Sequence, residues 1–212
     1  MYEVKWFKAA DESAVLILAH GAGAGSQSEF MQDMAGRLSQ LGVSVVLFDF
    51  PYMQKQIALQ TRRPPDRMPV LLDAMTAVID TVTGTSHSPL WLGGKSMGGR
   101  VASMILASDT CPAGLMGGIV FGYPFHPPGK PDKLRTAHLP ELNHPLLIVQ
   151  GERDTFGGQH EVAGMTLGKQ VTTMFIADGD HSLKPRKKSG LTEAQNRSCA
   201  ADAAATFIKE AP

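Results

Sequence analysis

This chain has little cysteine, no long apolar run and no excess of either charge, and each of these absences excludes a class of protein. Two of the 212 residues are cysteine, Cys111 and Cys199, which is too few for a disulfide framework, although a single bridge stays open. No apolar stretch is long enough to span a membrane. The run at residues 14–19 is short and follows Asp11 and Glu12, so we interpret it as a buried strand rather than the core of a signal peptide. These features predict a cytoplasmic protein.

Basic and acidic residues are equal in number, at 20 each, so the formal net charge is zero. A neutral chain gives no general reason to expect nucleic acid or an anionic membrane as a partner. The basic residues nevertheless concentrate after predicted strands, at the edge where parallel sheets bind ligands: Arg62, Arg63, Arg67, Lys130, Lys133, Arg135, Lys184, Arg186, Lys187 and Lys188. One hypothesis is therefore a positively charged rim that favours a carboxylated or phosphorylated substrate. The alternative is a set of solvated loop charges with local acidic partners.

Residues 91–100, with the sequence Trp-Leu-Gly-Gly-Lys-Ser-Met-Gly-Gly-Arg, contain the strongest functional signal. An apolar run leads into a glycine-flanked serine, and a second apolar stretch follows at residues 101–107. This pattern is typical of a strand, a sharp turn and a helix that together present Ser96 as a nucleophile. Gly94 and Gly98 have a steric purpose, because strand and helix approach each other closely at such a turn.

The same segment ends like a phosphate-binding loop, but that alternative fails on spacing. A P-loop needs a glycine five positions before its Gly-Lys-Ser ending, and Pro89 stands there. The glycine-rich residues 20–25 also lack the spacing of a dinucleotide site, since the last glycine position holds Ser26. Acidic residues and a histidine crowd together at residues 178–181, yet no second cluster has the spacing of metal ligands. We therefore expect neither a cofactor nor a metal.

Two later strand runs end at residues that complete the chemistry of a serine nucleophile. Asp154 follows the predicted strand at residues 146–150, and His181 follows the one at residues 171–177. A serine hydroxyl is a weak nucleophile at neutral pH, so it needs a base such as His181 and an acid that orients the imidazole. The order Ser96, Asp154, His181 is that of α/β-hydrolases and differs from the order in two other serine hydrolase folds. The other candidates for the acid are Asp49, Asp178 and Asp180.

The remaining element is an oxyanion hole, which needs two backbone N–H groups that point at the developing negative charge. Met97, the residue after the nucleophile, should provide one of them. A loop after an early strand should provide the other, and the small residues at 20–25 let the backbone approach a carbonyl oxygen closely. We expect the N–H group of Ala22 to act there, with that of Gly23 as the alternative.

Six segments spread over nearly the whole chain resemble the α/β-hydrolase superfamily. They are similar to a small bacterial branch related to a testis-expressed eukaryotic protein and to a chromatin-complex subunit with a hydrolase-like domain. These segments are residues 20–25, 50–52, 63–67, 94–100, 122–131 and 178–186. The resemblance implies the hydrolase fold and a triad of Ser96, Asp154 and His181, but it implies little about the substrate. Some relatives in the wider group lack the catalytic residues that this sequence retains.

Strand runs alternate with helical patterns along residues 1–212, which predicts a single α/β domain with a mostly parallel sheet and helices on both faces. The predicted strands are residues 14–19, 43–48, 90–93, 118–121, 146–150 and 171–177, with residues 2–7 as an antiparallel edge strand. The predicted helices are residues 28–41, 69–82, 99–107, 159–167 and 192–209. The proline-rich connection at residues 123–143 is too short for a helical cap, so we expect a three-layer hydrolase fold without a cap domain.

The proline-rich connection should form one wall of a shallow, open pocket. Tyr123 and His126 in this connection, and Lys184 and Arg186 after the candidate base, are the candidate substrate-binding residues. We expect His126 to line the pocket or to have a structural role rather than to act as a base.

The sequence as a whole predicts a serine hydrolase that acts on a short ester, thioester or related small-molecule acyl substrate. The alternative hypothesis is a non-enzymatic module that retains the fold and binds a partner through its basic rim. A weaker alternative is an enzyme like dienelactone hydrolase that uses a different nucleophile. The chain resembles that enzyme in size. Only Ser96 occupies the glycine-flanked turn.

Overall fold

The computed structural model describes residues 2–211, in which seven strands form one central sheet. The strands are β1 (Lys5–Phe7), β2 (Ala14–Ala19), β3 (Val43–Phe48), β4 (Leu90–Lys95), β5 (Leu115–Phe121), β6 (Leu146–Gly151) and β7 (Val171–Ile176). Their spatial order is β1-β3-β2-β4-β5-β6-β7. β1 pairs antiparallel with β3, and every other neighbouring pair is parallel. The predicted parallel sheet with an antiparallel edge strand is confirmed.

Helices cover both faces of the sheet, because its strands are apolar on both sides. The helices are α1 (Glu29–Gln40), α2 (Pro51–Leu59), α3 (Met68–Thr83), α4 (Met97–Leu106), α5 (Gln159–Val162) and α6 (Glu193–Glu210). Alternate residues of a strand point to opposite faces. Val15 and Ile17 of β2 pack in one core with α3 and α4, whereas Leu16 and Leu18 pack in a second core with α1 and α6. The predicted three-layer fold is therefore confirmed.

Two helices differ from the prediction. Helix α2 was not predicted, because only two of its nine residues are buried and the apolar periodicity is weak. Pro51 occupies its first position, where a missing N–H costs nothing. The helix predicted for residues 159–167 ends at Val162. Gly164 follows two residues later, and glycine has a low helix propensity.

The connection between β5 and β6 contains no cap domain. Between Phe121 and Leu146, the helical structure in the described part of the chain is limited to a 3-10 turn at Leu139–Glu141. The loop folds back onto the protein, since the rings of Tyr123 and Phe125 are fully buried. The expected uncapped fold is confirmed, and the carboxyl edge of the sheet stays open on this side.

Helix α4 lies very close to the sheet at its first turn, and glycine makes this approach possible. A Cβ atom at Gly98 would lie 2.5 Å from the carbonyl oxygen of Ala19 and 2.6 Å from that of His20. A Cβ atom at Gly94 would lie 2.8 Å from the same oxygen of Ala19. These obstacles are backbone atoms, so a larger residue displaces either β2 or α4.

Gly98→Ala should lower the free energy of unfolding by about 2 kcal/mol or more, because the added methyl group overlaps backbone carbonyls. Gly36→Ala is the matched control, since Gly36 lies inside α1 and nothing lies within 4 Å of its Cβ position. That substitution should raise the free energy of unfolding by about 0.5–1 kcal/mol, because alanine favours a helix. Urea unfolding followed by circular dichroism measures both changes. Equal effects of the two substitutions would contradict the predicted clash.

Candidate active site

Ser96 occupies the sharp turn between β4, which ends at Lys95, and α4, which begins at Met97. Its backbone has φ of 52° and ψ of −114°, a strained combination for a residue with a side chain. Hydrogen bonds hold the turn on both sides. The N–H of Ser96 donates to the carbonyl oxygen of Phe121 at 3.0 Å, and its own carbonyl accepts from the N–H of Arg100 at 3.0 Å. The fold thus fixes the serine at the carboxyl end of the middle strand.

Asp154 and His181 reach this serine from β6 and β7. Asp154 lies three residues beyond the end of β6, and His181 lies five residues beyond the end of β7. The Nε2 atom of His181 is 2.8 Å from the Oγ atom of Ser96. Its Nδ1 atom is 2.8 Å from the Oδ2 atom of Asp154. The three side chains therefore form a continuous hydrogen-bonded chain, in which Nδ1 carries the proton when Asp154 is ionised.

Protein donors surround the carboxylate of Asp154, whose side chain is 0% exposed. The N–H of Phe156 donates to Oδ1 at 2.8 Å, and the side-chain amide of Gln150 donates to Oδ2 at 2.8 Å. A buried carboxylate is tolerated only with such partners. Together they fix the direction in which the carboxylate faces the imidazole.

Gln150 links three segments of the site, and sequence analysis did not identify it. Its fully buried side chain accepts a hydrogen bond from the N–H of Tyr123 at 2.7 Å. Its amide nitrogen lies 3.1 Å from the carbonyl oxygen of Tyr123 and 3.0 Å from that of Gly157. A signal was present, since this glutamine is the one polar side chain in the buried strand Leu146–Gly151.

Phe156 and Lys95 also contact His181 and were missed. The ring of Phe156 stacks on the imidazole with the centroids 4.1 Å apart. The Nζ atom of Lys95 donates to the backbone carbonyl of His181 and lies 5.4 Å from the ring centroid of Phe30. A lysine that ends an otherwise apolar strand next to a candidate nucleophile is a recognisable signal. Phe156 lies in a loop, where no periodic sequence pattern indicates which way a side chain points.

The three alternative acids have other partners. Asp49 accepts hydrogen bonds from the N–H and the hydroxyl of Ser26 at 2.7 and 2.9 Å. The guanidinium of Arg186 donates to Asp178 and lowers the pKa of that carboxyl to about 2. Asp180 accepts two backbone N–H groups of its own loop. Among the candidate acids, Asp154 is the one bonded to the imidazole of His181.

The glycine-rich loop after β2 is anchored by His20 and Tyr52. The Nε2 atom of His20 accepts the N–H of Phe50 at 3.1 Å, so Nδ1 carries the proton and donates to the carbonyl of Gly21 at 2.7 Å. Burial lowers the pKa of His20, in agreement with this neutral form. The hydroxyl of Tyr52 lies 3.2 Å from the carbonyl oxygen of Gly21 and 3.1 Å from that of Ala22. These bonds occupy the carbonyl groups of the loop and fix its backbone.

A cavity of about 340 Å³ opens between this loop and Ser96. Ala22 and Gly23 line it on one side, and Phe30 and Met31 of α1 form an apolar wall. The N–H of Ala22 donates to no backbone or side-chain acceptor within residues 2–211. The N–H of Met97 is the first of α4, where a helix provides no acceptor. A larger cavity of about 860 Å³ runs along α6 and contains none of these residues.

Two of the candidate substrate-binding residues, Tyr123 and His126, lie outside the cavity beside Ser96. Tyr123 is fully buried and donates its hydroxyl to the carbonyl of Arg135 at 2.8 Å. His126 is only 2% exposed, and its Nδ1 atom lies 2.9 Å from the carbonyl oxygen of Pro127. Both side chains hold the connection between β5 and β6 against the core.

The other two, Lys184 and Arg186, also lie outside that cavity. The ammonium of Lys184 lies 3.5 Å from Glu193, and the guanidinium of Arg186 pairs with Asp178. These two charges have the local acidic partners that the alternative hypothesis expected. They contradict the expectation that Lys184 and Arg186 present free positive charge to a substrate.

A second serine–histidine contact lies on α4, where the Oγ atom of Ser103 is 2.8 Å from the Nε2 atom of His138. Ser103 is fully buried and donates its hydroxyl to the carbonyl of Arg100 at 2.9 Å. Its oxygen therefore accepts the proton of His138 rather than losing one to it. Within residues 2–211 no carboxylate pairs with His138. The contact therefore has neither an accessible nucleophile nor an acid.

The described part of the chain contains no group of three or more histidine, cysteine or acidic side chains arranged to hold a metal ion. Over the same residues, no helix is both long enough and apolar enough to cross a membrane. Cys111 and Cys199 are free thiols, so the single disulfide left open by the sequence is not formed.

Burial lowers the pKa of the Lys95 ammonium from 10.5 to about 8, even though Asp154 and Asp180 oppose this shift. Between these two pH values the unfolded chain binds a proton that the folded protein does not. The contribution of Lys95 to the free energy of unfolding should therefore rise with pH in that window, by about 3 kcal/mol at most. Urea unfolding from pH 7.5 to 10 measures the effect. The free energy of unfolding of the wild type should rise with pH relative to that of Lys95→Met.

Lys55→Met is the matched control, because Lys55 is exposed on α2. The difference between this variant and the wild type should stay constant over the same pH range. If the difference in free energy of unfolding between the wild type and Lys95→Met is also constant, the lowered pKa of Lys95 is contradicted.

Solved hydrolases of low sequence identity share the fold. An alpha-beta serine hydrolase homologue from Coxiella burnetii has a TM-score of 0.71 at 17% identity, with 94% of this chain and 90% of that chain covered. Dienelactone hydrolase from Anabaena variabilis has a TM-score of 0.71 at 18% identity, with coverage of 99% and 92%. A serine hydrolase without lid from Xanthomonas campestris has a TM-score of 0.69 at 18% identity, with coverage of 99% and 90%. At these identities the likeness establishes the architecture.

The sequence itself matches a described family over almost its whole length. Residues 12–209 match the alpha/beta hydrolase domain, which is far more than half of the chain. The match spans the segments that contain Ser96, Asp154 and His181. The chain therefore belongs to the alpha/beta hydrolase family.

Proposed function

We propose that the protein is a serine hydrolase that transfers the acyl group of a short ester, thioester or related substrate to water. The observation that carries this proposal is the hydrogen-bonded chain from Ser96 through His181 to Asp154. The serine lies at a strained strand-to-helix turn and beside a cavity, which is the position that a nucleophile of this class requires.

In the first half of the reaction, Nε2 of His181 accepts the hydroxyl proton while Oγ of Ser96 attacks the carbonyl carbon of the substrate. The N–H groups of Met97 and Ala22 stabilise the negative charge on the carbonyl oxygen, with Gly23 as the alternative donor. His181 then gives its proton to the leaving alcohol or thiol. The acyl group remains on the serine as an ester.

In the second half, His181 removes a proton from water, and the resulting nucleophile attacks the acyl-enzyme. The proton returns to Oγ of Ser96, and the carboxylic acid leaves. In both halves Asp154 accepts the Nδ1–H bond and stabilises the imidazolium. Because Gln150 and the N–H of Phe156 hold the carboxylate, little reorganisation is needed when the charge develops.

Lys95 and Phe156 act as positioning residues in this scheme. The ammonium of Lys95 holds the backbone of the base through the carbonyl of His181. Phe156 covers one face of the imidazole and limits the rotation that would break the contact with Ser96. Neither residue needs to touch the substrate in order to support catalysis.

The cavity supports a short acyl group. Its volume of about 340 Å³ lies near the lower limit for small-molecule sites. Phe30 and Met31 close it on the α1 side, and no cap domain extends it. We also propose membership in the branch that resembles the testis-expressed and chromatin-complex relatives, supported by the six matching segments.

Removing the hydroxyl in Ser96→Ala should lower kcat for a short p-nitrophenyl ester by about 10⁴- to 10⁶-fold, since triad residues act as a unit. The same change should abolish covalent reaction with a fluorophosphonate, read as an increase in intact mass. Wild-type protein should gain the mass of one adduct.

Ser103→Ala is the matched control, because it removes the other serine hydroxyl that contacts a histidine. Its mass should still increase on treatment. An unmodified wild-type protein would argue for the non-enzymatic module that retains the fold. If the wild type is modified but Ser103→Ala is not, the nucleophile is Ser103 and the assignment of Ser96 is wrong.

Acetyl and butyryl p-nitrophenyl esters should have a higher kcat/KM than octanoyl esters, because the wall at Phe30 limits the length of the acyl chain. Phe30→Ala should shift the ratio of octanoyl to acetyl kcat/KM by about 10-fold or more toward octanoyl. Phe7→Ala, an aromatic truncation on the edge strand β1, should leave the ratio unchanged. The ratio does not depend on the fraction of folded enzyme. An unchanged ratio in Phe30→Ala would exclude this wall as the limit.

A further inference from the structure

The loop that carries the candidate oxyanion donors lies against the nucleophile. A Cβ atom at Gly21 would lie 3.6 Å from the Cβ atom of Ser96, and the next two residues, Ala22 and Gly23, line the cavity beside that serine. In the described part of the chain, the N–H groups of Ala22 and Gly23 donate to no backbone or side-chain acceptor. Both can therefore bind a substrate oxygen, provided that they point toward it.

Each of these N–H groups belongs to a rigid peptide group whose other end is a carbonyl. The carbonyl of Gly21 and the N–H of Ala22 form one planar trans unit, and the carbonyl of Ala22 and the N–H of Gly23 form the next. In such a unit the C=O and N–H bonds point in opposite directions, so a hydrogen bond that fixes the oxygen also fixes the direction of the N–H. A donor at the oxygen also polarises the unit and strengthens its N–H as a donor.

The hydroxyl of Tyr52 contacts both of these carbonyl oxygens, at 3.2 Å for Gly21 and 3.1 Å for Ala22. A tyrosine hydroxyl has one proton to donate. The carbonyl of Gly21 already accepts the Nδ1–H of His20 at 2.7 Å, so the proton of Tyr52 is available to the carbonyl of Ala22. Two buried side chains thus hold two successive peptide groups of the loop from their carbonyl ends.

Tyr52 is itself fixed by the fold and does not line the cavity beside Ser96. It is only 2% exposed, so a substrate in the cavity does not reach it. The N–H of Tyr52 donates to the Oδ2 atom of Asp66 at 2.8 Å, which anchors the first turn of α2. Burial raises the pKa of the Tyr52 hydroxyl, so the hydroxyl keeps its proton at neutral pH and remains a donor.

From these contacts we infer that Tyr52 is a positioning residue for the oxyanion hole, and that it acts through the peptide groups that carry the N–H groups of Ala22 and Gly23. This role rests on the proposed function, since an oxyanion hole matters only if an acyl substrate reacts at Ser96. Without the hydroxyl these peptide groups can rotate, and their N–H groups then turn away from the developing charge. The loss falls on the transition state rather than on substrate binding, because the full negative charge exists only there.

Kinetics of Tyr52→Phe with p-nitrophenyl butyrate test this role. The kcat value should fall by about 10-fold or more, because misdirected donors stabilise the oxyanion less well. The KM value should change by less than about twofold, since the bound substrate does not contact Tyr52.

Tyr2→Phe is the matched control. The hydroxyl of Tyr2 also donates to a backbone carbonyl, that of Asp49 at 3.0 Å, and Tyr2 does not line the cavity beside Ser96. The substitution removes the same atom from the same type of hydrogen bond, so kcat and KM of Tyr2→Phe should equal those of the wild type.

A pair of ketone inhibitors separates the oxyanion hole from the rest of the cavity. With propyl trifluoromethyl ketone, Oγ of Ser96 adds to the carbonyl carbon, the hydroxyl proton moves to Nε2 of His181, and the carbonyl oxygen becomes an oxyanion. Propyl methyl ketone has the same chain but stays a neutral ketone. Tyr52→Phe should weaken inhibition by the trifluoromethyl ketone by about 10-fold or more and leave inhibition by the methyl ketone unchanged. Tyr2→Phe should change neither.

The outcomes distinguish this role from the proposed function. If the wild type is active and Tyr52→Phe keeps its kcat, or if Tyr52→Phe weakens inhibition by both ketones equally, the positioning role of Tyr52 is overturned and the proposed function stands. A wild type that neither hydrolyses the ester nor binds the trifluoromethyl ketone would contradict the proposed function, and the role of Tyr52 would fall with it. A selective loss of trifluoromethyl ketone inhibition in Tyr52→Phe supports both.

Discussion

The close approach of helix α4 to strands β2 and β4 is the constraint on which the rest of the site depends. At Gly94 and Gly98 there is no room for a Cβ atom, so the chain turns from strand to helix within one residue. That residue, Ser96, adopts a positive φ as a result. The same turn frees the first N–H of α4 and leaves the serine side chain at the edge of a cavity. The strain is local, but packed backbone on both sides maintains it.

The parallel order of the sheet brings Asp154 and His181, the other two residues of the hydrogen-bonded triplet, to Ser96. β4, β5, β6 and β7 are consecutive neighbours, and the carboxyl ends of parallel strands lie along one edge. Asp154 and His181 follow two of these ends and meet Ser96, although His181 is 85 residues away in sequence. Hydrogen bonds from buried side chains then hold Asp154 and His181 in place. Gln150 directs the carboxylate, and Lys95 holds the backbone that carries the imidazole. The orientation of His181 therefore depends on buried polar groups as much as on the residues of the proposed chemistry.

The charges around this edge are distributed differently from what the sequence suggests. Lys184 and Arg186 have acidic partners, which removes them from the candidate positive rim. Arg135, which belongs to the same candidate rim, has no carboxylate oxygen within 4.0 Å in the described part of the chain, and neither does Arg100 on the helix that follows Ser96. Counting basic residues in a segment does not identify such a position, because a charge affects a ligand only when no nearby carboxylate neutralises it.

The sequence by itself determined the architecture, the turn at Ser96 and the candidates Asp154 and His181. Local rules are sufficient for these features: apolar runs define buried strands, and glycine is required where backbones touch. The sequence already favoured Asp154 over Asp49, Asp178 and Asp180, although all four follow strands. The tertiary structure adds that Asp154 is the one of the four bonded to the imidazole of His181. The structure alone also revealed the stacking of Phe156 on His181, the burial of Tyr123, and, among the described residues, the absence of an acidic partner at Arg100 and Arg135. The physical reason is that burial and charge balance are properties of segments distant in sequence, which become neighbours only when the sheet and its loops have assembled.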